Sequence, residues 1–349
     1  MSAKTDIEWT DATWSPLRVR VKPDAAEIAK AKGYTSLIQI AEKMAGHVGP
    51  HCEHVSLGCK LCYSGTNNGR CLPANGTGLP FDRRSRDLVD PFVDEKALLL
   101  PLHWKNPRKI FVVNQSDLFG EWVTDAQIDQ VFAVMALCPR HTFQVLTKRP
   151  ERMLKYFGDP IRRGFLVERE RERTYNNASK EPVWYQNMDW PLPNVWLGVS
   201  VENQATADAR IPLLLQTPAA VRFVSYEPAL GPVDFFSYMP CTHEPGGCIE
   251  CREWEVAHGL DWIIAGGESG PGARPANPEW FRSARDQCIE ARVPFFFKQH
   301  GVWVSVSEVA GKGKHYSFPD GATVRRVGKK AAGALLDGKE WKQFPEVAR

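Results

Sequence analysis

Apolar residues in this chain gather into short continuous runs, and the runs recur. Stretches rich in Val, Ile and Phe stand at 110–113, 143–146, 195–201, 222–225, 262–265 and 294–297, with starts 33, 52, 27, 40 and 32 residues apart. Continuous apolar runs of this length mark parallel strands buried on both faces. A strand–helix–strand unit takes roughly 30 residues or more, which matches the repeat. Helical patterns fill the gaps at 125–137, 202–215 and 278–291. Two gaps carry insertions, one charged and aromatic at 158–192 and one rich in Cys at 235–258. Together with a strand at 7–14 that Pro16 ends, the pattern predicts about seven βα units. The expected fold is α/β, a complete or partial parallel (β/α) barrel over residues 1–300, with 301–349 as a small C-terminal extension.

Between the first strand and the repeats, residues 24–45 read as helix broken at Gly33 and Gly46. A Gly-, Asn- and Pro-rich stretch at 64–80 reads as loop, and the region around 92–103 as helix. In the extension, 302–309 and 315–318 predict a hairpin turning around Gly311-Lys312-Gly313. The basic cluster Arg325-Arg326-Val327-Gly328-Lys329-Lys330 that follows reads as a solvated face before a short Ala/Leu helix, with contact to a phosphate backbone as the alternative.

Each apolar run passes directly into polar residues: Asn114-Gln115-Ser116-Asp117, Thr147-Lys148-Arg149, Ser200-Val201-Glu202-Asn203, Tyr226-Glu227, Gly266-Gly267-Glu268-Ser269 and Lys298-Gln299-His300. The C-terminal ends of parallel barrel strands form the active-site face. Lys148, Glu202, Glu227, Glu268 and Lys298 are therefore the candidate catalytic residues, with a salt bridge on the barrel rim as the alternative for each, and Lys148, Arg149 and Lys298 suit an anionic partner. The glycines of Gly266-Gly267 allow close backbone approach to a ligand.

Composition narrows the class. Hydrophobic residues make up 43% and charged residues 24%, ordinary for a globular protein. No apolar run approaches a membrane span and no signal pattern opens the chain, so no membrane association and a cytoplasmic location are expected. A net charge of +3 is too small to argue for nucleic acid by itself. Nine cysteines without a secretion signal point to metal or cluster ligation, with some core thiols, over disulfides.

Three of those cysteines, Cys52, Cys59 and Cys62, are spaced C-x6-C-x2-C in a Gly-containing loop at 51–63 with no helical or strand period. Three thiolates and no obvious fourth ligand would leave zinc or an iron–sulfur cluster with one open coordination position. We read the site as a 4Fe–4S cluster. A second group, Cys241, His243, Cys248 and Cys251, repeats the spacing and adds an imidazole, which matches a closed structural zinc site. A second iron–sulfur cluster and unligated thiols are the alternatives. Cys138 and Cys288 sit in helical patterns and read as core thiols.

Ile7-Glu8-Trp9-Thr10-Asp11-Ala12-Thr13-Trp14, Gly58-Cys59-Lys60-Leu61-Cys62-Tyr63, Ser116-Asp117-Leu118-Phe119, Leu146-Thr147-Lys148-Arg149-Pro150, Gly198-Val199-Ser200-Val201-Glu202-Asn203, Ser225-Tyr226-Glu227-Pro228 and Gly266-Gly267-Glu268-Ser269-Gly270-Pro271 follow one another in this order. With them the chain resembles a family of phage and prophage proteins of unknown function that is similar to radical S-adenosylmethionine (SAM) enzymes. The resemblance implies a radical SAM-like barrel whose cluster is held by Cys52, Cys59 and Cys62, with SAM on the fourth iron. It implies reductive cleavage of SAM to a 5′-deoxyadenosyl radical, driven by a reductant such as flavodoxin or ferredoxin. A nucleic-acid base or nucleotide-derived substrate follows from the phage context. By position, Asn114, Ser116 and Asp117 would contact SAM, Asp117 through its ammonium, and Ser200, Glu202 and Glu227 would lie near the ribose or carboxylate. The x6 gap and Leu61 depart from the usual C-x3-C-x2-C with an aromatic before the last cysteine. The rival reading is a non-catalytic, zinc-binding protein that uses the barrel as a scaffold for nucleic acid or a partner.

Overall fold

The continuous apolar runs are parallel strands, as their burial on both faces demands. The computed structural model describes residues 5–70, 76–178, 190–240 and 259–346, and the chain divides into two units, Met1–Val195 and Trp196–Arg349. The fold is mixed α/β in both.

In chain order the first unit contains β1 (Ala12–Trp14), β2 (Leu17–Val21), α1 (Ala25–Ala31), α2 (Ile38–Met44), β3 (Val48–Gly49), α3 (Tyr63–Arg70), α4 (Arg83–Arg86), β4 (Val89–Val93), α5 (Glu95–Leu98), β5 (Lys109–Val112), α6 (Asp125–Ala136), β6 (Thr142–Thr147), α7 (Pro150–Phe157) and α8 (Pro160–Ala178). Strands β1, β5 and β6 lie side by side and parallel, with Ala12 opposite Ile110 and Ile110 opposite Phe143. Helix α6 starts where Thr124 and Gln127 cap each other reciprocally. Its Phe132 packs 5.6 Å from the rings of both Tyr156 and Phe157 on α7. The charged insertion supplies α8, whose Arg163 bonds Asp129 at 2.7 Å and Asp125 at 2.9 Å and lies 4.0 Å over the Tyr156 ring.

Around the cysteine loop the structure adds to two local expectations and overturns a third. Pro16 ends β1, and Leu17–Val21 begins a new strand, whose alternating Leu/Val and Arg positions put one face in and one face out. This strand centres a small antiparallel sheet ordered β3-β2-β4, with its own core of Val19, Val21, Ala25, Ala29, Leu37, Ala41, Met44 and Val89. The stretch at 92–103 is helical from Glu95, as α5 and a 3-10 turn at Leu100–His103; only its first two residues belong to β4, an edge strand that tolerates Pro91. The stretch at 64–80 contains helix α3 despite two glycines and two asparagines. Tertiary bonds override its poor propensity, because buried Asn68 donates to Thr77 Oγ1 (3.1 Å) and Leu79 O (2.8 Å) and accepts from Thr77 N (2.8 Å).

The second unit contains β7 (Val195–Ser200), α9 (Gln204–Gln216), β8 (Val221–Tyr226), β9 (Trp262–Gly266), α10 (Pro278–Glu290), β10 (Phe295–Gln299), β11 (Trp303–Ser305), β12 (His315–Ser317), β13 (Thr323–Arg326), α11 (Lys329–Ala332), β14 (Leu335–Leu336) and β15 (Lys339–Glu340). Strands β7 to β10 are parallel neighbours in sequence order. Gly198 faces Phe223, whose ring fills the space a side chain at 198 would need. Trp262 is the hub of the core, 5.7 Å from Trp196 and Phe223 and 5.1 Å from Phe344.

The remaining edge of β10 is covered. Phe297 N donates to Trp341 O and Gln343 N to Phe295 O, so residues 341–343 run antiparallel along it. Within this unit the last parallel strand therefore has no free edge left for ring closure, which removes the complete-barrel alternative at β10. The predicted hairpin is also rearranged: β13 lies between β11 and β12 and pairs with both. Arg325, expected on a solvated face, is buried in that central strand and donates to the Gly311 and Val309 carbonyls. Cys241, His243, Cys248 and Cys251, proposed as zinc ligands, lie outside the described residues. Among the described residues no helix is long and apolar enough to cross a membrane.

Candidate functional site

In the first unit β5 ends on a bend. Val113, a buried β-branched residue, takes φ 55°, a left-handed conformation that such side chains rarely adopt. The bend turns Asn114–Asp117 toward the cysteine loop, and the two segments are laced together. Tyr63 Oη donates to Asn114 O at 2.7 Å, and Ser64 Oγ donates to Gln115 O at 2.8 Å. Asn114 Nδ2 donates to Tyr63 Oη at 3.3 Å, its Oδ1 accepts from Ser15 Oγ at 2.9 Å, and Ser116 Oγ donates to the His51 carbonyl. The loop is thereby fastened at the C-terminal end of β5.

Asp117 is the knot beneath it. Its Oδ1 accepts from Phe119 N (3.0 Å) and Thr147 Oγ1 (2.7 Å), its Oδ2 from Lys148 N (3.2 Å) and Arg149 Nη1 (3.0 Å). A carboxylate offers about four acceptor sites, so the chain itself occupies Asp117, where a SAM ammonium was expected. Arg149 is buried with it. Its Nη2 donates to the Glu53 carbonyl at 3.0 Å, inside the cysteine loop, and its guanidinium lies 4.8 Å over the Trp122 ring. The cation thus couples the end of β6 to the loop.

Glu53 takes a paired hold on Arg86, with Nε to Oε1 and Nη2 to Oε2 both 2.6 Å. Burial works to raise the carboxyl's pKa, but His51 and the Arg86 guanidinium outweigh it and hold the group down to about 2. A depressed carboxyl stabilises the fold fully above its unfolded pKa of about 4.3 and loses that contribution as pH falls toward the folded value. The melting temperature of wild type should therefore exceed that of Glu53→Gln at neutral pH, and the gap should close between pH ~4.3 and ~2. A gap independent of pH over that range would show that the charge of Glu53 contributes nothing.

The three thiols are free. Cys59 is buried and Cys52 and Cys62 half-buried. Their protein contacts are long: Cys52 Sγ to Glu53 O is 3.9 Å, and Cys59 Sγ to Ser56 Oγ is 3.8 Å. Burial pushes the Cys52 thiol up to about 12, helped by the Asp117 carboxylate and the other two sulfurs and opposed by Arg149. Cys52 thus lies within electrostatic reach of both other sulfurs. Among the described residues no group of three or more His, Cys, Asp or Glu is arranged to hold a metal ion, so the sulfurs are not drawn into one coordination shell. The donor set nevertheless suits a thiophilic centre in kind: three uncommitted thiols, with Glu53 already taken by Arg86. A positive centre would reverse the preference of Cys52 for its proton.

The second unit sorts its strand-end candidates into two kinds. Glu202, buried, accepts from Arg210 Nη1 at 3.2 Å, and the same nitrogen donates to Ser200 O at 2.6 Å. Glu268 is held by Arg274 through Nε at 2.9 Å and Nη2 at 2.5 Å. Both carboxylates have dedicated guanidinium partners and serve as struts of the strand-end loops. Glu227 differs. Its two oxygens each lie 3.4 Å from Lys298 Nζ, and its nearest hydroxyl, Ser225 Oγ, is 3.5 Å away. Lys148, predicted with these, belongs to the first unit and is half-buried, with its main-chain nitrogen on Asp117.

The sequence pattern marks Thr147 only as a strand-end polar residue and leaves Glu53, Arg86 and Trp122 unmarked. For Glu53 the available signal is a charge inside the cysteine loop; its partner Arg86 stands 33 residues away with no pattern to mark it.

A family model described as a protein of unknown function (DUF5131) matches residues 38–345. No curated protein and no solved structure matches the chain.

Proposed function

Because the chain belongs to the DUF5131 family, whose description assigns no activity, we propose its function from its own residues: a radical SAM-like enzyme. Cys52, Cys59 and Cys62 would hold a 4Fe–4S cluster at the end of the parallel strands of the first unit. The observation that carries this reading is the loop itself, with three uncommitted thiols laced to the C-terminal end of β5 where enzymes of this architecture act. When bound, the cluster would supply the electron that cleaves the carbon–sulfur bond of SAM.

The chain's own residues do the rest. Arg149 sets a fixed positive charge near Cys52 and favours its thiolate. Asp117 orients Arg149, and the bonds from Tyr63, Ser64 and Ser116 hold the loop against the strand end. With Asp117 occupied, contacts to SAM fall to the half-buried and main-chain groups around it, including the peptide groups of Asn114 and Ser116. Flavodoxin or ferredoxin fits the need for a one-electron donor, and a nucleic-acid base or nucleotide is the substrate class we assign.

Anaerobic reconstitution tests this. The expected product holds about four irons and four sulfides at this site, with a broad visible absorbance lost on reduction. With SAM and dithionite it should release 5′-deoxyadenosine. Zinc in the site after anaerobic preparation from iron-replete cells would overturn the reading in favour of a non-catalytic binding protein.

A further inference from the structure

The C-terminal edge of β8, β9 and β10 carries a polar pair with an unusual construction. Glu227 follows β8, Lys298 belongs to β10, and the strand between them ends on Gly266. Glu227 leans across that middle strand: a Cβ at Gly266 would collide with its Oε1. Lys298 comes from the other side and stands 3.4 Å from each carboxylate oxygen, at the long end of hydrogen bonding. Their side chains are 15% and 20% exposed, so the pair is largely desolvated and still reachable.

The neighbouring carboxylates show what a structural pair looks like at this edge. Glu202 and Glu268 are clamped by guanidinium groups with contacts down to 3.2 and 2.5 Å. Among the described residues Glu227 has no such partner; it faces a flexible ammonium that re-aims easily. Two opposite charges 3.4 Å apart define what fits. An anion would be repelled by Glu227 and a cation by Lys298. A zwitterion would have to pull the pair apart and give up its attraction where screening is weak. A neutral group with a donor beside an acceptor can bridge the two without separating them.

We infer that Glu227 and Lys298 form a binding site for the hydrogen-bonding edge of a nucleobase, with a ring N–H or exocyclic amine donating to Glu227 and a ring nitrogen or carbonyl accepting from Lys298. Bases present such adjacent donors and acceptors on their edges. The choice of a base among neutral ligands rests on the substrate class proposed above; the geometry of the pair does not.

The test uses the full chain prepared with a chelator, so that no cluster is loaded and the outcome is independent of the cysteine site. Adenosine, guanosine, cytidine and uridine, all uncharged, are titrated by calorimetry and saturation-transfer NMR. At least one nucleoside should bind, with little change on adding salt. Glu227→Gln and Lys298→Met, each checked for an unchanged melting curve, should weaken it at least about tenfold, the scale of one hydrogen bond to a charged group. The inference is overturned if no nucleoside binds at millimolar concentration or if both variants bind as wild type does. Displacement of the nucleoside by glycine or inorganic phosphate would also overturn it, because the site would then be one for charged ligands. Nucleoside binding without cluster loading in the reconstituted protein would leave this site standing and remove the radical reading.

Discussion

Asp117→Asn is expected to destabilise the protein by about 3–5 kcal/mol, the cost of leaving a buried cation without its counter-charge. The substitution is nearly isosteric, so packing hardly changes. An amide offers one acceptor and one donor edge, whereas both carboxylate oxygens face donors: Phe119 N and Thr147 Oγ1 on one side, Lys148 N and Arg149 on the other. Whichever way the amide turns, its NH2 meets a main-chain N–H: that of Phe119 on one side, that of Lys148, beside the Arg149 guanidinium, on the other. In either orientation Arg149 stays buried without its counter-charge, left with neutral partners such as the Glu53 carbonyl and the Trp122 face. Urea denaturation measures the loss, and limited proteolysis should show cleavage within 51–63 in the variant first. A change below ~1 kcal/mol would mean that the Asp117–Arg149 pair is not what anchors the loop.

Cys59→Ala is expected to abolish iron and sulfide loading at 52–62 and to leave the unloaded fold nearly as stable as before. Two thiols cannot hold a cluster that needs three, so the loss should be complete rather than graded. The fold effect should be small, because Cys59 makes only a 3.8 Å contact with Ser56 Oγ and loses a single sulfur. Cys288→Ala is the control: that thiol is buried in the second unit, where burial raises its pKa strongly, and its removal should not alter loading. Metal analysis of the two proteins after parallel anaerobic reconstitution decides. Full loading of Cys59→Ala would dismiss the cysteine loop as the ligand set.

The strands were legible because they are buried on both sides and so are apolar throughout; β5 to β10 fall within a residue or two of the runs that predicted them. Helices α6, α9 and α10 follow from their periods, whereas α8, the longest helix, lies in the charged insertion, where no apolar period marks it. Helix α3 was not legible, because its stability lies in Asn68 reaching Thr77 and Leu79, a tertiary bond that no helical period announces. The cysteine loop was read from spacing alone, but what holds it was not. Its fastenings join residues 51, 65 and 96 positions apart, such as Tyr63 to Asn114, His51 to Ser116 and Glu53 to Arg149. For the same reason Asp117 looked like a free carboxylate. Glu202 and Glu268 offered a clue that spacing could have supplied: each has an Arg eight or six residues later, Arg210 and Arg274, close enough to fold back onto it.

The covered edge of β10 has a consequence for biosynthesis. During translation that strand leaves the ribosome some forty residues before Trp341, Lys342 and Gln343, the segment that shields it. Throughout that interval a nascent chain presents a row of unsatisfied amides and carbonyls to its neighbours on the same polysome, the situation in which strands from different chains pair with each other. Folding yield in the cell should therefore depend on how quickly the ribosome completes this short stretch, and synonymous codons that slow it would send more of the protein into inclusion bodies without altering a single residue.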